Sequence, residues 1–136
     1  MVDVSFKSGS LTISGSTKKM TGRRCGHGGQ VYCLDCSDDG TRIVTGGSAG
    51  GIRIRTIDDL QPVLRINAAH SGAVRAVNFV DNSNNRIMTA GEDGLLKNWD
   101  ADGTAIKSQT AHVGGVSAIK TDREQIFSAG KDRLVR

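Results

Sequence analysis

The chain repeats itself at an interval of just over forty residues, and that self-similarity constrains its fold more than any other feature. GHGGQVYCLDCSDDGTRIVTGG begins at Gly26, AHSGAVRAVNFVDNSNNRIMTAG at Ala69 and AHVGGVSAIKTDREQIFSAG at Ala111. The histidines His27, His70 and His112 are 43 and 42 residues apart, and each is followed by a hydroxyl in a second apolar run: Thr45, Thr89 and Ser128. The middle copy is the fullest. A His-Ser-Gly leads into AVRAVNFV, then RIMTA, a tight GEDG turn and LLKNWD. That order predicts short strands joined by turns, three of them before Trp99-Asp100. With 18 Gly and 1 Pro, the turns fall to Gly, Asn and Asp, as a chain of many short strands requires.

The stretch from His70 to Asp100 resembles a WD repeat, the unit of one β-propeller blade. The resemblance implies four-stranded blades whose third strand ends in the Trp-Asp pair. His70, Thr89, Asp93 and Trp99 fall where the family places a His, a Ser/Thr, an Asp and a Trp that hydrogen-bond in sequence. In a sheet covered on both faces, an indole N–H, a hydroxyl and an imidazole each cost free energy if left unpaired. A chain from Asp93 through His70 and Thr89 to Trp99 would satisfy all four. The third copy supplies His112, Ser128 and Asp132 for the same network. The expected fold is therefore all-β, a WD-repeat β-propeller of about three to three and a half four-stranded blades. The repeats are 1–26 (partial), 27–69, 70–111 and 112–136 (truncated).

The copies differ in informative ways. In 27–69, Ala49 replaces the turn Asp and Arg55 the Trp, so the foursome cannot form there. Arg53 and Arg55 alternate with Ile52, Ile54 and Ile57, which predicts a strand with one apolar face. Pro62 is expected to open an outer strand, where a missing N–H is tolerated. TAIKSQT should be the outer strand of the second full repeat. RLVR is expected as the third strand of the last repeat, which stops at Arg136 before the Trp position. Upstream, VDVSF, SLTIS and MTGRRC fit the second to fourth strands of a preceding blade, with a disordered polar leader as the alternative. Fourteen strands would leave an open arc with bare end sheets, so completion by missing sequence or by a second chain is expected.

Charge and cysteine usage bound the function. The net charge of +4 resides in residues 1–26, where Lys7, Lys18, Lys19, Arg23 and Arg24 face Asp3 alone. Such a segment can bind phosphates, although a solvated face is the commoner reason for it. No run is apolar enough to span a bilayer. Three cysteines, an odd number, point to a reducing intracellular compartment, the cytoplasm first and the nucleus second. Cys25, His27, Cys33 and Cys36 could in principle hold zinc. The repeat argues otherwise, because His27 is one of three equivalent histidines and Cys33 aligns with Ala76 and Ala118. Buried apolar thiols are expected, with no metal, cofactor or disulfide.

The set His70, Asp93 and Thr89 has the letters of a hydrolase. It recurs as His112, Asp132 and Ser128, and two copies of a structural network are more economical than two active sites. GGSAGG lacks the GK[ST] of a phosphate loop. The reading is a non-catalytic platform for other proteins, with RNA or ribonucleoprotein binding through the basic N-terminus as the alternative. The rim before each first strand supplies candidate partner contacts at Gln30, Tyr32, Arg75 and Ser117. Family members that serve ubiquitin ligases as substrate receptors carry Trp-Asp-x-Arg. The run here, Trp99-Asp100-Ala101-Asp102, lacks the Arg.

Overall fold

The computed structural model describes residues 26–80, 86–122 and 125–136, together with the strand backbones at 4–7, 10–13 and 16–19. Thirteen strands are described, and every pairing is antiparallel between sequence neighbours. β1 (Val4–Lys7), β2 (Ser10–Ile13) and β3 (Ser16–Lys19) form a three-stranded meander. Its third strand is STKK rather than MTGRRC, because Ile13 pairs with Ser16 and only two residues separate β2 from β3. Residues 20–25, including Cys25, lie outside the described residues.

Two complete four-stranded sheets follow. The first is β4 (Val31–Cys36), β5 (Arg42–Gly47), β6 (Ile52–Thr56) and β7 (Pro62–Ile66). The second is β8 (Val74–Phe79), β9 (Ile87–Gly91), β10 (Leu95–Trp99) and β11 (Ala105–Thr110). The third sheet holds β12 (Val116–Asp122) and β13 (Gln125–Gly130). RLVR does not form the expected third strand. It contributes one bridge, Ala129 to Val135, with Ser128 and Arg136 exchanging backbone hydrogen bonds of 2.7 and 2.9 Å. Pro62 opens the outer strand of its sheet, and β11 is exposed along its whole length.

The sheets stack face to face through two cores. Val44, Ile52, Ile54 and Cys33 of the first sheet meet Val74, Val77, Phe79, Ile87 and Trp99 of the second. Ala76, Met88, Ala90 and Leu96 on the second sheet's other face meet Val116 and Ile119 of the third. β6 has the expected apolar face, with Ile52 and Ile54 buried in the core shared with the second sheet, and Arg53 between them is buried as well. Each such aliphatic side chain contributes about 1.5–3 kcal/mol through its burial. Backbone bonds also cross between sheets. Gly50 O accepts from Ala69 N (3.0 Å) and His70 N (3.2 Å), and Gly94 O from Ala111 N (2.9 Å) and His112 N (3.2 Å). Both glycines have positive φ, 76° and 82°, and a Cβ on either would lie 2.2–2.3 Å from the carbonyl oxygen of the next sheet's histidine.

Candidate functional site

Each first strand carries a bulge at the same place. The ladder slips between Val31 and Cys33, between Val74 and Ala76, and between Val116 and Ala118. The skipped residues are Tyr32, Arg75 and Ser117. A bulge kinks the strand and re-aims the extra side chain. All three line one open groove of about 480 Å³ along the first strands, together with Asp35, Asn78 and Lys120.

The geometry joins three of the four rim candidates. Tyr32 Oη donates to Gln30 Oε1 at 3.0 Å, and the Arg75 guanidinium lies 4.6 Å from the Tyr32 ring centroid. Arg75 Nε donates to Glu92 Oε1 at 2.9 Å, with Nη2 on the same oxygen. Lys131 Nζ approaches that carboxylate at 3.8 Å from the third sheet. The hydrogen bond from Arg75 holds the Glu92 carboxyl below its ordinary pKa. Ser117 is exposed on the groove wall and makes none of these described contacts. Glu92 and Lys131 were not singled out from the sequence. Their signal is that both stand three residues after the repeated hydroxyl, at the tip of the GED and GKD turns.

Beneath the rim lie the polar networks. Trp99 Nε1 donates to Thr89 Oγ1 at 2.9 Å, Thr89 Oγ1 is 2.8 Å from His70 Nε2, and His70 Nδ1 is 2.9 Å from Asp93 Oδ1. The two ends set the direction of the chain: an indole N–H can only donate, and the Asp93 carboxylate can only accept, which places the hydrogen of the imidazole on Nδ1. Thr89 then donates to Nε2, and Nδ1–H donates to Asp93, so the imidazole is neutral. Burial lowers the His70 pKa and outweighs the opposing hydrogen bond and charge of Asp93. Burial pushes the Asp93 carboxyl upward, but hydrogen bonds from His70, Leu95 N–H and Ser71 N–H outweigh it and hold the group below its usual range.

In the third sheet His112 Nε2 is 2.8 Å from Ser128 Oγ, and His112 Nδ1 is 2.8 Å from Asp132 Oδ1. Arg136 Nη1 donates to Asp132 Oδ2 at 2.8 Å and, as the largest cause, holds that carboxyl well below its usual range. In the first sheet only His27 Nε2 to Thr45 Oγ1 remains, at 2.8 Å. The hydroxyls of Thr89 and Ser128 are buried, out of reach of a substrate.

The cysteines require a correction. Cys33 is half-buried, and burial pushes its thiol up to about 11. It lies 3.5 Å from Val74 O. Cys36, expected to be buried, is exposed. Its counterpart Phe79 is covered by the first sheet, whereas the described residues place no sheet over Cys36. Among the described residues no three His, Cys, Asp or Glu side chains gather as metal ligands, and no helix is long and apolar enough to cross a membrane.

Stacked antiparallel sheets, first strands along a common groove and a repeated His–hydroxyl–Asp network define a propeller-type repeat protein. The chain belongs to the WD40 family: the pattern for "WD domain, G-beta repeat" matches residues 18–55 and 61–100. The second match takes in β7 followed by β8 to β10, so it begins on the outer strand of one blade and runs through three strands of the next. Among curated relatives, the DDB1- and CUL4-associated factor 11 homolog of Caenorhabditis briggsae is 32% identical over 114 residues, covering 78% of this chain and 21% of that protein. The U4/U6 small nuclear ribonucleoprotein PRP4 of Saccharomyces cerevisiae is 30% identical over 69 residues, covering 51% of this chain and 15% of that protein. The chain thus spans about a fifth or less of these relatives. The crystal structure of RRP9 WD40 repeats superposes with a TM-score of 0.73 at 21% identity, over 81% of this chain and 35% of that one, a likeness of fold alone.

Proposed function

We propose that this chain is a non-catalytic protein-interaction scaffold, a part of a larger intracellular assembly, that engages partners through the rim of its first strands. One observation carries the reading: the same bulge, three times over, aims Tyr32, Arg75 and Ser117 into one groove. Gln30 and Glu92 hold Tyr32 and Arg75 in fixed poses, which lowers the entropy lost when a partner docks. Aromatic and Arg side chains are also the types that most often anchor interfaces. The His–hydroxyl–Asp sets serve the fold, not a reaction. Association with DDB1 and CUL4 belongs to a relative by its printed name. The missing Arg after Trp99-Asp100 gives this chain no support for that role.

A photo-crosslinking residue at position 32, compared with one at Ser108 on the exposed outer strand, tests the reading in cells. Discrete adducts are expected from position 32 and none from 108. Equal labelling, or none at 32, would count against a rim interface.

A second reading rests on the +4 charge of residues 1–26 and on a relative named as a ribonucleoprotein. Binding of a labelled single-stranded RNA would then weaken steeply with salt, with a log–log slope of about −0.7 per phosphate contacted. A flat response favours the protein partner.

A further inference from the structure

In the first blade the turn carboxylate is missing, but the groups that would hold it are still in place. In the second blade Asp93 accepts from His70 Nδ1 at 2.9 Å, Ser71 N at 3.2 Å and Leu95 N at 3.1 Å. In the third, Asp132 accepts from Leu134 N at 3.1 Å, and its Oδ1 lies 2.8 Å from His112 Nδ1, which Arg136 Nη1 also meets at 2.8 Å. The first-blade counterparts of these donors are His27 Nδ1, Gly28 N–H and Gly51 N–H, and the counterpart of the acid is Ala49. Among the described hydrogen bonds, none is made by these three donors.

The His27 ring has the pose of its counterparts. Its Nε2 is 2.8 Å from Thr45 Oγ1, as the other two are from their hydroxyls. Its Nδ1 lies 2.7 Å from where a Cβ on Gly47 would be; the matching distances are 2.4 Å at Gly91 and 2.3 Å at Gly130. Nδ1 carries a hydrogen to donate when Thr45 Oγ1 gives its proton to Nε2, at 2.8 Å, in place of Arg53 O, at 3.4 Å, and a carboxylate at Nδ1 selects that tautomer. The site is open, since Gly28 and Ala49 are both exposed, and a Cβ on Gly28 would sit 3.8 Å from that of Ala49. Its surroundings are cationic. After burial, the charges that hold His27 below its ordinary pKa are those of Arg53, Arg55 and Arg65.

We propose that His27 Nδ1, Gly28 N–H and Gly51 N–H form a carboxylate socket, filled in trans by an Asp or Glu side chain of a partner protein. The socket follows from this chain's geometry alone; only its occupant rests on the interaction reading above. A carboxylate fits because the two other blades hold one at this position, and because the equivalents of these three donors all bond the two oxygens of Asp93 in the second blade. The Ala49→Asp variant would fill the socket from within.

The test is an NMR titration of the 136-residue chain, following the His27 ring and the amides of Gly28 and Gly51. The first probe is sodium acetate, with sodium chloride at equal ionic strength as control. Saturable shifts with acetate and not chloride, lost in Ala49→Asp, are expected. No saturation, or saturation unchanged in Ala49→Asp, overturns the socket. The second probe is an acetyl-Gly-Asp-Gly amide against its Asn counterpart. If acetate saturates the site and the two peptides behave alike, the site is a small-anion site and the partner side chain is overturned. Crosslinks at position 32 do not enter either result, so failure of the rim reading stays distinguishable.

Discussion

At Trp99 the indole N–H has a single acceptor, the Thr89 hydroxyl, in a position sealed from water. Trp99→Phe removes that donor and leaves a buried oxygen short of a partner, so it should cost about 1–3 kcal/mol in a denaturant titration. Asp93→Ala, which strips His70, Ser71 and Leu95 of their acceptor, should cost a similar about 1–3 kcal/mol. The same residues set the pH response. His70 and His27 titrate below the ordinary 6.5 in the folded chain, so the unfolded chain binds protons first on acidification. Stability is therefore full above about 6.5 and falls as pH drops toward the folded pKa values. Asp93 and Asp132, held below 3.8, add a second loss at lower pH still. Melting temperature against pH should show a first decline beginning near 6.5, smaller in a His27→Gln variant. A profile flat from pH 7 to the carboxylate range would refute the neutral, buried imidazoles.

Between sheets, one residue sets how closely neighbours approach. A Cβ on Gly46 would lie 2.6 Å from Val74 Cγ1 and 2.7 Å from Cys33 Sγ. Its counterpart in the second sheet is Ala90, which is fully buried in the core shared with the third sheet and Val116. Gly46→Ala should therefore destabilise by about 1–3 kcal/mol through overpacking. Val74→Ala should recover part of that loss in a double-mutant cycle; additive effects would mean the two do not meet. The repeat makes the histidines, hydroxyls and turn acids legible, because their offsets recur regardless of what packs on them. The bulge is encoded too, but in a form that simple alternation conceals. Val74 and Val77 are three apart and lie in the same core, as do Val116 and Ile119. In a regular strand an odd separation points to opposite faces, so one extra residue must intervene. Alternation also places the apolar face of β6, but not the burial of Arg53 between Ile52 and Ile54, where Nη1 donates to Ile52 O at 2.8 Å and Ile66 O at 3.2 Å.

At the scale of the molecule, each interface uses the same register, and among the described residues its two halves also occur exposed. Val74 and Val77 are 0% and 4% exposed, but their first-sheet counterparts Val31 and Leu34 are 46% and 62% exposed. Met88 and Leu96 are each 6% exposed, against 43% and 73% for Phe127 and Val135 in the third sheet. Apolar faces of this kind drive association. Sedimentation velocity should show a coefficient that rises with protein concentration. Leu34→Asp or Phe127→Asp, each at an already exposed site, should suppress the rise without lowering the melting temperature. A chain sedimenting identically in all three forms would remove the argument.

The carbonyls of Gly50 and Gly94 give the stack an internal reporter. Each accepts two consecutive amides from the next sheet, those of Ala69 and His70 or those of Ala111 and His112. These four N–H groups gain no bond from their own sheet's ladder, so their protection depends on neighbours remaining docked. If a sheet swings away without unravelling, these amides exchange with solvent while the Thr89 amide, inside its own ladder, stays protected. Hydrogen–deuterium exchange would thus separate the opening of a seam from the melting of a sheet, and rank the two seams by how often each comes apart.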